Sequence, residues 1–172
     1  MNRTTAKIKY YADKHGIPYE ILLGIYTLET TYRVAIHRFA ENSIVTILLF
    51  LNIMFGVRVK NFTIGHCQVG LATILICSGS PVYRHSKHLV GLSLQDCSTI
   101  IRAMRKNTNI NCCAQYISSV YSNFASIYGV GGTLVRRLGE LYNGTYTYGL
   151  LLDNLVLSYE SAAQMPTHVA HH

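Results

Sequence analysis

Ile21-Leu22-Leu23-Gly24-Ile25-Tyr26-Thr27-Leu28-Glu29-Thr30-Thr31-Tyr32-Arg33 reads as an amphipathic helix with a carboxylate inside its apolar stripe. At about 100° per residue, Ile21, Leu22, Ile25 and Leu28 share one face. Glu29 lies one turn beyond Ile25 and two beyond Leu22, so it points with them. A carboxyl held partly out of water resists ionising. A glutamic acid that stays protonated near neutral pH is suited to general-acid work. The plain alternative is a boundary residue or half of an ion pair.

Outward from this segment, the rest of the chain also follows helical periods. Thr4 to His15 reads as a helix ended by Gly16, and Pro18 suits the first position of the Glu29 helix. Arg33 to Asn42 reads as a polar connection. Ser43 then caps an apolar helix that Gly56 ends. Arg58 to Gly70 looks irregular or weakly extended, and Val69 to Cys77 reads as a short buried helix broken by Ser78-Gly79-Ser80-Pro81. Ser93 to Asn107 is expected to be helical with Ile100, Ile101 and Met104 inward. Asn109 to Ile127 follows, with Ala114, Ile117, Tyr121 and Phe124 at helical spacing. Gly129, Gly131 and Gly132 break the chain before helices at Thr133–Tyr142 and Tyr148–Gln164. The pattern predicts a mainly α fold in a single domain over residues 1–172, with its core at about 4–164 and a tail at 165–172.

Composition narrows the function. Hydrophobic residues make up 49% and charged residues 13%, which excludes a disordered tail. A net charge of +7 favours an anionic partner such as nucleic acid, a membrane surface or a cell-wall polymer. The cations are scattered, with Arg102-Arg105-Lys106 and Arg136-Arg137 the densest spots, and no basic run alternates with aromatics as a nucleic-acid platform requires. The longest apolar run, Ile44 to Val57 with Asn52 inside it, is short for a bilayer and reads as a core helix, so no integral membrane segment is expected. The N-terminus lacks the apolar stretch of a secretory signal.

Cys67, Cys77, Cys97, Cys112 and Cys113 form no CxxC pair and mostly sit among apolar residues, so they read as small hydrophobes. Spacing leaves a Cys67–Cys77 or Cys97–Cys113 bridge open. His85 and His88, and His168, His171 and His172 in the tail, have no carboxylate or cysteine to complete a metal site, so neither metal nor cofactor is expected.

Three further segments give Glu29 a context. They are Thr63-Ile64-Gly65-His66-Cys67-Gln68-Val69, Asn109-Ile110-Asn111-Cys112-Cys113-Ala114-Gln115-Tyr116-Ile117 and Leu141-Tyr142-Asn143-Gly144. With the Glu29 helix, and in this order, they resemble the lysozyme-like lytic transglycosylases that cut bacterial peptidoglycan. The likeness spans roughly residues 10 to 160. Thr30 stands where the family usually has Ser. His66 and Cys67 replace an apolar pair in its Gly-x-x-Gln motif, and Cys113 stands where Gly is common. The longer gap between the first two motifs is similar to that of goose-type lysozymes.

The resemblance implies a lysozyme-like helical domain with a substrate cleft. It also implies cleavage of the β-1,4 bond between N-acetylmuramic acid and N-acetylglucosamine. Glu29 would protonate the glycosidic oxygen and then act as base on the muramic 6-hydroxyl, closing a 1,6-anhydro ring without a second carboxylate. Tyr142 would orient Glu29, Gln68 and Asn143 would bind N-acetyl groups or brace the site, and Tyr116 would line the cleft behind the acid. Glu41 is the candidate second carboxylate. Facing Glu29 across a water, it would make the enzyme an inverting, hydrolytic muramidase; its plain reading is an exposed residue ahead of a helix. An inactive glycan-binding protein of the same fold is the third reading. The implied partner is the glycan strand in the bacterial periplasm or cell wall. Secretion-system, phage or immunity and inhibitor proteins are further partners such a domain would meet.

Overall fold

The computed structural model describes residues 2–33, 35–80 and 87–164. His85 and the histidines of the tail lie outside them. Among the described residues the protein is mainly helical, with eight helices and four two-residue strands. Helix α1 spans Arg3–His15, α2 Tyr19–Tyr32 and α3 Ala35–Phe55. Strands β1 (Val59–Lys60), β2 (Thr63–Ile64) and β3 (Val69–Gly70) precede α4 (Leu71–Cys77), and β4 is His88–Leu89. Helices α5 (Leu94–Ala103), α6 (Lys106–Tyr128), α7 (Gly132–Asn143) and α8 (Tyr146–Gln164) complete the chain. Strand β1 pairs antiparallel with β4 and β2 with β3, so the extended segment after α3 is two small ribbons.

Local chemistry explains most boundaries. Gly16 takes the left-handed conformation and its N–H donates to the carbonyls of Ala12 and Asp13, ending α1 as its position predicts. Pro18 caps α2 one residue before the first helical position. Ser93 and Asp96 close a reciprocal capping box at the start of α5. The helix expected to run to Asn107 stops at Ala103, because Arg105 is extended and α6 restarts at Lys106. Ile101 is exposed rather than inward, at the margin of the face that buries Cys97 and Ile100.

The larger correction concerns residues 35–57. The polar connection expected at Arg33–Asn42 is largely helix, and Ser43 lies inside α3 instead of capping it. Nor is α3 a core helix. Only Val45, Leu49 and Asn52 are buried, while Ile36, Phe39, Ile47, Phe50, Met54 and Phe55 are exposed. The polar interruption, Asn52, faces inward. Its amide donates to the Val57 carbonyl at 2.6 Å and its Oδ1 accepts the Leu92 N–H at 3.2 Å. The helix has the length and apolarity to cross a membrane.

One continuous apolar cluster joins all eight helices, α3 through Val45 and Leu49. Helices α7 and α8 cross where glycine meets glycine. A Cβ on Gly149 would lie 2.4 Å from the Arg136 carbonyl oxygen, and one on Gly139 would lie 2.8 Å from the Gly149 Cα. Helix α2 also packs on α8, where the Tyr159 hydroxyl and Thr27 Oγ1 are 3.1 Å apart. These crossings set the start of α8 beside the end of α2, where Glu29 lies.

Candidate active site

Glu29 is 6% exposed, on the same face as buried Ile21, Leu22, Ile25 and Leu28. Thr30, beside it, turns its hydroxyl back to the Tyr26 carbonyl at 2.7 Å and leaves the carboxyl unobstructed. Glu29 lines an open cavity of about 280 Å³ with Tyr32, Arg33, Asn143, Thr147 and Tyr148. That volume is at the low end of small-molecule sites.

Burial holds the Glu29 carboxyl above the usual carboxylate range. Tyr148 and then Arg33 act in the opposite direction, and Glu41 adds to the rise. The Tyr148 hydroxyl is buried and faces Glu29 without closing a hydrogen bond of ordinary geometry. It is the polar group best placed to meet the carboxylate when Glu29 ionises. Periodicity places Tyr148 at a helix start and gives it no role. Its position depends on the Gly139–Gly149 crossing, which only the folded chain brings together.

Glu41 lies in the second turn of α3, half-buried and ion-paired through Oε1 with Arg33. Its Oε2 accepts the Gln68 amide at 3.3 Å. It is therefore not the exposed residue ahead of a helix that its neighbours in the sequence suggest. Both of its oxygens have partners, yet Glu29 senses its charge.

Gln68 is buried and has both ends of its amide engaged. Oε1 accepts from Thr63 Oγ1 at 2.8 Å, and Nε2 donates to the Gly65 carbonyl at 2.9 Å as well as to Glu41. It is the only non-glycine among the described residues at positive φ. These bonds make it a brace for the β2–β3 turn. Asn109, the first residue of the α6 motif, locks the same turn from behind. Fully buried, it accepts the Cys67 N–H at 2.7 Å and donates to the Ile64 carbonyl at 3.0 Å.

Tyr142 does not reach Glu29. Its hydroxyl donates to the Cys67 carbonyl and accepts from the Cys113 thiol at 3.5 Å. Its ring lies near those of Tyr148 and Tyr116, with centroids 6.3 and 6.1 Å away. The hydroxyl that faces Glu29 is therefore that of Tyr148, with Tyr142 behind it. Asn143, at the end of α7, does line the Glu29 cavity; its Oδ1 accepts from Thr145 Oγ1 at 3.1 Å. Tyr116 lines a different cavity of about 650 Å³, with Asn61, Thr73, Cys77 and Gln115.

All five cysteines are free thiols, so neither bridge left open by spacing is formed. Burial pushes Cys77 up to about 11 and Cys112 up to about 12, which keeps both protonated and unreactive near neutral pH. No family model, curated protein or solved structure matches the chain.

Proposed function

We propose that the protein is a peptidoglycan lytic transglycosylase with a lysozyme-like helical fold, in which Glu29 is first acid and then base. The observation that carries this reading is a nearly buried glutamic acid at the wall of an open cavity, its carboxyl held above the carboxylate range by burial. A protonated Glu29 gives its proton to the glycosidic oxygen as the C1–O bond breaks. The carboxylate so formed faces the Tyr148 hydroxyl and Arg33, which stabilise it. It then takes the proton of the muramic 6-hydroxyl as that oxygen bonds to C1. The sugar supplies its own nucleophile, and Glu29 ends the cycle protonated. Asn143, exposed at the cavity, is placed to meet an N-acetyl group, and Gln68 and Tyr142 act as positioning residues.

The engagement of Glu41 with Arg33 and Gln68 favours this route over a water held between two carboxylates. Mass spectrometry of purified peptidoglycan after digestion is expected to find 1,6-anhydromuramic ends. Reducing ends alone would mean a hydrolytic muramidase. Pelleting with cell walls without loss of turbidity would mean a glycan-binding protein.

Glu41→Gln separates the two chemistries further. It removes a charge that raises the Glu29 pKa and frees Arg33 to act on Glu29. Activity that needs protonated Glu29 is then expected to keep its turnover while its alkaline limb moves to lower pH. Complete loss of turnover would make Glu41 the base of an inverting enzyme. Tyr148→Phe removes a group that favours ionised Glu29. The same limb should move to higher pH, with slower turnover because the carboxylate loses its nearest hydroxyl. An unchanged pH profile would deny Tyr148 this role.

A further inference from the structure

Helix α3 inverts the usual order of a surface helix. Its inner face carries Val45, Leu49 and Asn52, and its outer face carries Ile36, Phe39, Ile47, Phe50, Met54 and Phe55. Phe39 is 74%, Phe50 60% and Phe55 72% exposed. A stripe of large side chains this long is not the scatter of single apolar residues that any surface shows. Only 17% of the apolar window is buried, so packing among the described residues does not account for its composition.

We propose that α3 docks the protein on an anionic lipid bilayer, lying in the plane of the headgroup–acyl boundary. Charge selects this occupant. The chain carries +7, and exposed Arg58 and Lys60 follow the end of α3. Cations at the end of an apolar stripe fit an amphipathic helix that buries its stripe a few ångströms deep and holds lipid phosphates at its margin. A second copy of the chain carries the same +7 and offers this face no opposite charge. Asn52 excludes crossing. Its two hydrogen bonds tie the inner face to Val57 and Leu92, and spanning would strip both bonds and carry Asn52 into hydrocarbon. The docking surface is independent of the chemistry at Glu29, so vesicle binding should persist in Glu29→Gln.

The chain has no tryptophan, so Ile47→Trp, midway along α3 on the exposed face, gives a single reporter. With phosphatidylglycerol vesicles its emission is expected to shift to the blue. Lipids brominated near the glycerol should quench it more than lipids brominated near the chain ends. Phosphatidylcholine vesicles should bind it far less. Phe50→Glu, with its circular dichroism unchanged, should lower partitioning more than tenfold, and Arg58→Gln roughly fivefold at low salt. Absence of any shift with anionic vesicles overturns the proposal. So does strongest quenching at the bilayer centre, which would mean a spanning helix. So does a lipid-indifferent dimer in sedimentation equilibrium that Phe50→Glu dissociates.

Discussion

Glu29→Gln is expected to lower the rate of peptidoglycan cleavage by about 10²–10⁴-fold, the usual contribution of a positioned general acid. The amide has nearly the same shape, keeps the cavity intact and cannot give up a proton on the required schedule. The same change should make the protein more stable at neutral pH. Burial raises the carboxyl of folded Glu29, so ionising it costs the folded state more than the unfolded one. Wild-type stability therefore falls as pH rises from the unfolded carboxyl's range through the folded value. Glutamine carries no such cost. The variant's advantage in thermal unfolding should be present at about pH 7 and vanish at about pH 4 and below, where both forms of Glu29 are protonated. Cell-wall turbidity and product analysis read the rate. A variant that lyses walls as well as wild type would sink the assignment of Glu29. A variant that is inactive and less stable at neutral pH would mean that Glu29 supports the fold through an ion pair.

The Glu29 stripe was legible because α2 buries a face whose members lie within one period of each other, and nothing in the tertiary structure disturbs that period. Gly16 was legible for a similar reason, since capping is decided within a few residues. Helix α3 was not. Ser43 offers a capping hydroxyl, and Arg38 and Glu41 give the preceding stretch a polar look, so local pattern places the helix start too late. The rule that apolar residues turn inward then assigned the wrong side. Glu41 went astray with the helix that carries it, because its partners Arg33 and Gln68 belong to other elements. Tyr148 and Tyr116 needed the third dimension. Whether a helical tyrosine meets the acid depends on which helices cross nearby, and the glycines that allow the α7–α8 crossing look like ordinary breakers in the chain.

The motif around Gly65 has a physical reason that leads to the largest expected loss of stability, for Gly65→Ala. Gly65 sits at φ +81°, where a side chain is strained. A Cβ there would lie 2.3–2.7 Å from the carboxamide atoms of Asn109. That carboxamide is fully buried and holds the Cys67 N–H and the Ile64 carbonyl, so it has nowhere to retreat without abandoning both. Losing two buried hydrogen bonds and forcing the backbone strain together should cost about 4 kcal/mol. Asn109→Ala removes the same two bonds without the strain and should cost about 2–3 kcal/mol. The double variant should then cost less than the sum, because the alanine at position 65 no longer meets the carboxamide. Urea unfolding of the four proteins measures this cycle. Additive losses would mean that Gly65 and Asn109 act separately. A sub-additive result would establish that the turn carrying Gln68 is held against α6 by one shared contact. Gln68 reaches Glu41 from that turn, and the Cys67 carbonyl in it receives the Tyr142 hydroxyl. Both variants should therefore reduce cleavage even where they remain folded, through the displacement of Tyr142 from behind Tyr148.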